Sequence, residues 1–235
     1  MHLSDYIRSE LAKFRSQLAT LRRCPGTLAL GCLVLGMVIV QMKTGGRHWI
    51  REFGAVPATI DHLSSITKTG EGQTVPAWLT VFTYMFVHEG WMHGLLNTLG
   101  VLIIGGWAEP RMGTPRFLLA YLVGGLSGAF GAALVLPHGL SPTHGASLAF
   151  CYVLGAYWAI LALEAIRLGR RANLIRGAEA AVAVLLVWRV AVRSGLSEHE
   201  CGILIHVLSM SFGWFTVRLW SGLKRLRPMA YGSAA

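Results

Sequence analysis

The sequence predicts an all-α, polytopic membrane protein: a bundle of six transmembrane helices. Three observations carry that expectation. Hydrophobic residues make up 54% of the 235-residue chain and charged residues 14%, against about 25% charged in an ordinary soluble domain. The apolar residues gather into six runs, most of them close to the roughly 20 residues that cross a bilayer core. The basic residues, source of a formal net charge of +10, stand at the ends of those runs, as orientation in a membrane requires. That placement argues against nucleic acid as the partner of the charge. The composition excludes a disordered chain, a collagen-like chain, a disulfide-rich secreted module and most soluble enzymes. The four cysteines (Cys24, Cys32, Cys151, Cys201) show no CxxC or zinc spacing and read as free thiols.

Residues 1–25 read as a cytoplasmic amphipathic helix. Leu3, Ile7, Leu11, Phe14, Leu18 and Leu21 recur at steps of three and four, with Arg8, Lys13, Arg15, Arg22 and Arg23 between or beside them. Such a helix lies in the membrane interface or packs on the cytosolic loops. The membrane domain is expected over 26–222. Its first run, 27–42, is followed by no small-residue cleavage site and reads as a retained span. A loop at about 43–77, mixed in charge and carrying Trp49, is expected to fold onto the membrane surface. The second run is 92–108, approached by an apolar segment, 78–87. The third, 116–136, carries Gly124, Gly125, Gly128 and Gly131, which let helices approach closely.

The fourth run, 147–163, is expected to be short. Its 17 residues reach roughly 26 Å at 1.5 Å each, less than the roughly 30 Å core. With Arg167, Arg170 and Arg171 pinning the far end, Ser147 falls inside the membrane. The fifth run is 178–192, with Arg189 snorkelling to the interface, and the sixth is 202–220. Residues 223–235 form a basic tail. Fifteen of the 21 Lys and Arg fall on one side of this arrangement, so both termini are expected in the cytoplasm. The absence of a long extra-membrane domain or transit segment points to a bacterial inner membrane.

Ionisable and polar groups within spans are expensive and are functional candidates by default. Three clusters fall in the non-cytoplasmic half. His93 and Asn97 are four apart and share a helix face; both can donate hydrogen bonds, to an oxyanion or simply to a neighbouring helix. Ser147 opens an apolar helix after an uncharged loop, Ser141-Pro142-Thr143-His144-Gly145-Ala146. Free N–H groups at such a helix start can hold an oxyanion, although Ser147 could also be a plain N-cap. His206, early in the sixth run, reads either as a satisfied core histidine or as a base. Taken together they form a serine beside a histidine that can take its proton, with donors for the developing oxyanion. Glu109 and Arg189 read as structural, Glu109 pairing with a basic neighbour near its own end of span two.

These residues resemble the rhomboid family, the intramembrane serine proteases, from about Trp78 to Gly222. The similarity includes H-x-x-x-N at His93 and Asn97, preceded by His88. It includes Gly105-Gly106-Trp107-Ala108-Glu109-Pro110-Arg111-Met112-Gly113, then Arg116-Phe117-Leu118 and the glycine-rich third span. Gly145-Ala146-Ser147 and Leu154-Gly155-Ala156-Tyr157-Trp158 follow, and His206 with Gly213 close it. The resemblance implies a six-helix rhomboid-like bundle and a serine endopeptidase with a Ser147–His206 dyad. It implies an oxyanion site from His93, Asn97, Gly145 and the backbone of Ser147, supported by His88, Cys151, Ser209 and Gly213. Residues 43–77 would be the membrane-associated first loop, and about 194–201 a cap over the site.

The sequence departs from the family pattern at Leu148 and Ser209, where the family carries glycine, and at Cys151, where it often carries an aromatic. This suggests a divergent member. The implied substrate is a single-span or membrane-anchored protein cut near the outer face, with no metal and no cofactor. One alternative is a rhomboid-like pseudoprotease that binds membrane clients without cutting them. Another is a metal-dependent membrane protein using His88, His93, His144 and His206.

Overall fold

The structure, a computed structural model, describes residues 23–60, 73–167 and 198–223. The expected N-terminal amphipathic helix, the fifth run with Arg189 and nearly all of the basic tail lie outside the described residues. Among the described residues the chain forms eight helices: α1 (Pro25–Thr44), α2 (Gly46–Phe53), α3 (Pro57–Ile60), α4 (Ala77–Thr83), α5 (Gly90–Met112), α6 (Thr114–Val135), α7 (Ser147–Arg167) and α8 (Glu198–Leu223). A 3-10 turn, Tyr84–Phe86, continues α4.

Four segments are long and apolar enough to cross a membrane: Pro25–Thr44, Thr114–Val135, Ser147–Arg167 and Cys201–Trp220. Helix α5 is as long, at 23 residues, but carries His93, Asn97, Glu109 and Arg111 and is not among them. The short fourth helix is corrected. Helix α7 has 21 residues, about 31 Å, because Glu164-Ala165-Ile166-Arg167 continue it with no Gly or Pro to stop it. The expected cap at 194–201 is corrected as well: α8 begins at Glu198, so the last four of those residues are helical.

The helices pack through small residues. A Cβ on Gly155 of α7 would collide with the Met210 carbonyl of α8, and one on Gly213 of α8 with the Tyr152 carbonyl of α7. The two backbones therefore touch, and the pair of glycines is what permits it. On the other side of α7, Gly124 of α6 lies against Tyr152, and Gly128 of α6 against Leu148.

Glu109 joins three helices and is 2% exposed. Its carboxylate accepts the Gly26 N–H (2.9 Å), the Thr27 N–H (2.7 Å), the Thr27 hydroxyl (2.7 Å) and the Thr114 hydroxyl (2.6 Å). It therefore caps the free N–H groups at the start of α1, where an anion is favoured by the helix dipole. The expected pairing with a local basic residue is replaced by this long-range cap. Glu109→Ala leaves four donors without this partner, three of them buried, so it is expected to cost about 3 kcal/mol, read as a fall in the thermal unfolding midpoint in detergent.

The first loop is folded by its own polar groups. Glu52 accepts the Thr74 N–H (2.8 Å) and hydroxyl (2.7 Å). These two bonds, with the backbone one the stronger influence, hold its carboxyl below the usual range. Gln73 donates to the carbonyls of Arg51 (2.7 Å) and Gly54 (3.1 Å). Ala55 is thereby presented to Thr143, with which it forms an antiparallel bridge of two hydrogen bonds (3.0 and 2.8 Å).

Candidate active site

The loop before α7 is fixed at successive residues. Thr143 pairs with Ala55, the Gly145 N–H donates to the Tyr84 carbonyl (2.9 Å), and the Ala146 N–H to His88 Nε2 (3.3 Å). His88 is fully buried; since its Nε2 accepts, the ring is neutral with its proton on Nδ1. Gly145 has φ +103°, a conformation costly for any residue with a Cβ. A Cβ there would also lie 2.9 Å from His93 Nε2 and 3.5 Å from Asn97 Oδ1. Gly145 thus lets the loop turn into α7 directly against the polar face of α5.

Ser147, the first residue of α7, faces His206 of α8. Its Oγ lies 2.7 Å from His206 Nε2, so the hydroxyl serves the histidine and not its own helix as a cap. His206 Nδ1 lies 2.7 Å from the Gly202 carbonyl, one turn earlier. A carbonyl only accepts, so Nδ1 carries the proton and Nε2 is the bare nitrogen that accepts from Ser147. Gly202 therefore orients the ring as a carboxylate does in a triad.

The two departures from the family glycines have physical explanations. The Leu148 side chain fits beside Gly128, where any Cβ would come within 2.7 Å of it. The Ser209 hydroxyl donates to the Leu148 carbonyl (2.7 Å) and is buried. It bridges α8 to α7 between the dyad and the close backbone contacts at Gly155 and Gly213. Cys151, one turn after Ser147, is half-buried, and the aromatic contact in this region is Tyr152 with Phe212.

His93 and Asn97 lie together beside Gly145. His93 Nδ1 accepts the Glu89 N–H at 3.4 Å, which leaves the proton on Nε2, the atom against Gly145. Asn97 Nδ2 donates to the His93 carbonyl (2.9 Å) and its buried Oδ1 has no partner; one amide hydrogen stays available. The rings of His88, His93 and His144 pack edge to face, with centroids 5.3 and 5.4 Å apart. His144 donates from Nδ1 to the Pro142 carbonyl (2.9 Å), and its Nε2 lies 3.8 Å from Glu89. Among the described residues no three His, Cys, Asp or Glu side chains converge as a metal site. Proton chemistry, with a serine aligned on a neutral histidine and donors near its helix start, is what the arrangement can do.

Gln41 belongs to the site's support and was not singled out from sequence. It is fully buried, donates to the Phe86 carbonyl (2.8 Å) and accepts the His88 N–H (2.9 Å). It thereby holds the segment that presents His88 to the serine loop. Its signal was an uncharged amide within an apolar run.

Residues 76–222 match the family described as Rhomboid domain. The chain is 35% identical over 79 residues to the Rhomboid protease GluP of Bacillus subtilis, a stretch covering 34% of this chain and 15% of that protein. It is 42% identical over 78 residues to the Rhomboid-like protease 5 of Toxoplasma gondii, covering 31% of this chain and 8% of that one. The chain thus spans a small part of the length of the curated relatives it matches. No solved structure matches it.

Proposed function

Because the chain belongs to the rhomboid family, its Rhomboid domain covering residues 76–222, we propose that it is an intramembrane serine endopeptidase with Ser147 as nucleophile and His206 as base. The observation that carries this reading is the 2.7 Å Ser147 Oγ–His206 Nε2 contact, with the opposite ring nitrogen tied to Gly202. The hydroxyl proton passes to His206 Nε2 as Oγ attacks the scissile carbonyl. The oxyanion is held by His93 Nε2–H, the Ser147 N–H and the available amide hydrogen of Asn97. The imidazolium returns its proton to the leaving amine, and water then hydrolyses the acyl-enzyme by the same path reversed.

His88, Gln41 and Gly145 set the loop; Ser209 and Gly213 set the distance between α7 and α8. Cys151 lines the nucleophile's helix face without a chemical step. The arrangement proposed is six spans with both termini in the cytoplasm of a bacterial inner membrane and the site opening to the other side. The substrate is a single-span or membrane-anchored protein, and the proton transfers as written need only Ser147, His206 and the attacking water.

Reconstitution of the full chain with a panel of single-span substrate proteins tests this reading. Wild type is expected to release a fragment cut near the outer membrane face, and Ser147→Ala none. Substrates that co-purify with wild type but stay intact would favour the non-cutting relative suggested by Leu148 and Ser209.

A further inference from the structure

The far end of α5 from the dyad carries an arrangement that the reaction does not use. Arg111 is 18 residues beyond His93 on the same helix, roughly 27 Å along its axis and close to the span of the hydrocarbon core. Its guanidinium carbon lies 5.2 Å over the ring of Tyr157 from α7. That ring stacks on Trp107, one turn before Arg111, with centroids 6.5 Å apart and planes 28° apart.

The Arg111 Nε is buried and has no hydrogen-bond partner. Among the described residues no carboxylate is paired with Arg111. The nearest in sequence, Glu109, is taken up by Gly26, Thr27 and Thr114. The enclosed Nε is out of a ligand's reach, but Arg111 as a whole is half-buried, and a planar cation on an aromatic face with no paired carboxylate suits a phosphate or carboxylate oxygen.

What lies beside it decides the ligand. Leu99, Ile103 and Trp107 precede Arg111 at steps of four on α5 and are 52%, 41% and 51% exposed. They form one apolar stripe along the outside of the helix, ending at the guanidinium. Trp158, next to Tyr157, is exposed as well. A tryptophan and a tyrosine at the end of an apolar stripe match the aromatic belt at a membrane interface. A ligand that fills both parts has an acyl chain along the stripe and a phosphate at Arg111. We propose that Trp107, Arg111 and Tyr157 form a binding site for the headgroup phosphate of an anionic membrane lipid. The site bridges α5 and α7, the helices that carry Asn97 and Ser147, and it does not depend on whether the dyad is active.

The test uses the full chain in phosphatidylcholine vesicles containing spin-labelled phosphatidylglycerol or spin-labelled phosphatidylcholine. The fraction of motionally restricted label gives relative association constants. Wild type is expected to prefer phosphatidylglycerol about fivefold, the scale of one basic residue at an anionic surface. Arg111→Gln is expected to remove the larger part of the preference and Tyr157→Leu to weaken it, and either variant serves if the other fails to fold. Arg116→Gln, an exposed arginine at the same end, is expected to change it less than Arg111→Gln. Added inorganic phosphate is expected to leave it intact. An unchanged preference in Arg111→Gln or Tyr157→Leu, or equal losses for Arg111 and Arg116, would overturn the site. Full competition by inorganic phosphate would overturn the lipid as its ligand.

Discussion

Replacing His206 by alanine is expected to lower kcat/KM for substrate cleavage by roughly 10⁴–10⁶-fold, the scale on which serine and base act as a unit. The reason is local. Ser147 has its hydroxyl committed to His206 Nε2 at 2.7 Å, and without that nitrogen the hydroxyl is a poor nucleophile at neutral pH. Stability should fall by only about 2 kcal/mol, since the substitution removes two hydrogen bonds at a half-buried site, each contributing about 1 kcal/mol, far less than the loss in rate. His206→Gln is the stricter variant, because it can still donate and accept without acting as a base. Cleavage rates compared with thermal midpoints separate the two effects. Activity within tenfold of wild type in either variant would remove His206 from the chemistry.

Gly213→Ala is expected to have the next largest effect, although Gly213 touches no reacting atom. Its Cβ would collide with the Tyr152 carbonyl, a backbone atom that cannot turn aside. Helices α7 and α8 must then separate. The contacts between them run in register from His206–Ser147 through Ser209–Leu148 to Gly213–Tyr152. A separation at Gly213 therefore opens the dyad. An overpacked core costs about 1–3 kcal/mol, and a displacement near 1 Å at reacting groups costs on the order of 10²-fold in rate. Both losses are expected together, as a lower thermal midpoint and a lower kcat. Wild-type kcat in Gly213→Ala would mean that the helix contact does not set the dyad distance.

The fold was legible where apolar runs coincide with helices. Helices α1, α6 and α7 and the apolar part of α8 fall on the first, third, fourth and sixth runs within a few residues. Apolarity marks where a helix meets lipid, however, and not where it ends. Helix α7 continues through Glu164 to Arg167 and α8 starts at Glu198, both beyond the apolar residues that announced them. Helix α5 was visible as a run, yet its polar residues leave it outside the set of four apolar spans.

In the site, the adjacency of Ser147 and His206, 59 residues apart, was legible because ionisable residues are scarce in the spans and these share one depth. Asn97 was placed at that depth by the same argument, whereas the grouping of His93, Asn97 and Gly145 came from the family resemblance. Gln41 and Glu109 were not assigned their partners because most of those partners are backbone N–H and carbonyl groups 45 to 83 residues away; the Thr27 and Thr114 hydroxyls complete the set on Glu109. Side-chain spacing gives no sign of such bonds. The accommodation of Leu148 by Gly128 needed three helices to be placed at once.

The nucleophile is tested most directly by labelling the reconstituted full chain with a fluorophosphonate probe and mapping the adduct by mass spectrometry. The adduct is expected on Ser147 in wild type, absent from Ser147→Ala and strongly reduced in His206→Ala. Equal labelling of wild type and Ser147→Ala would contradict a Ser147 nucleophile, and with it the proposed protease.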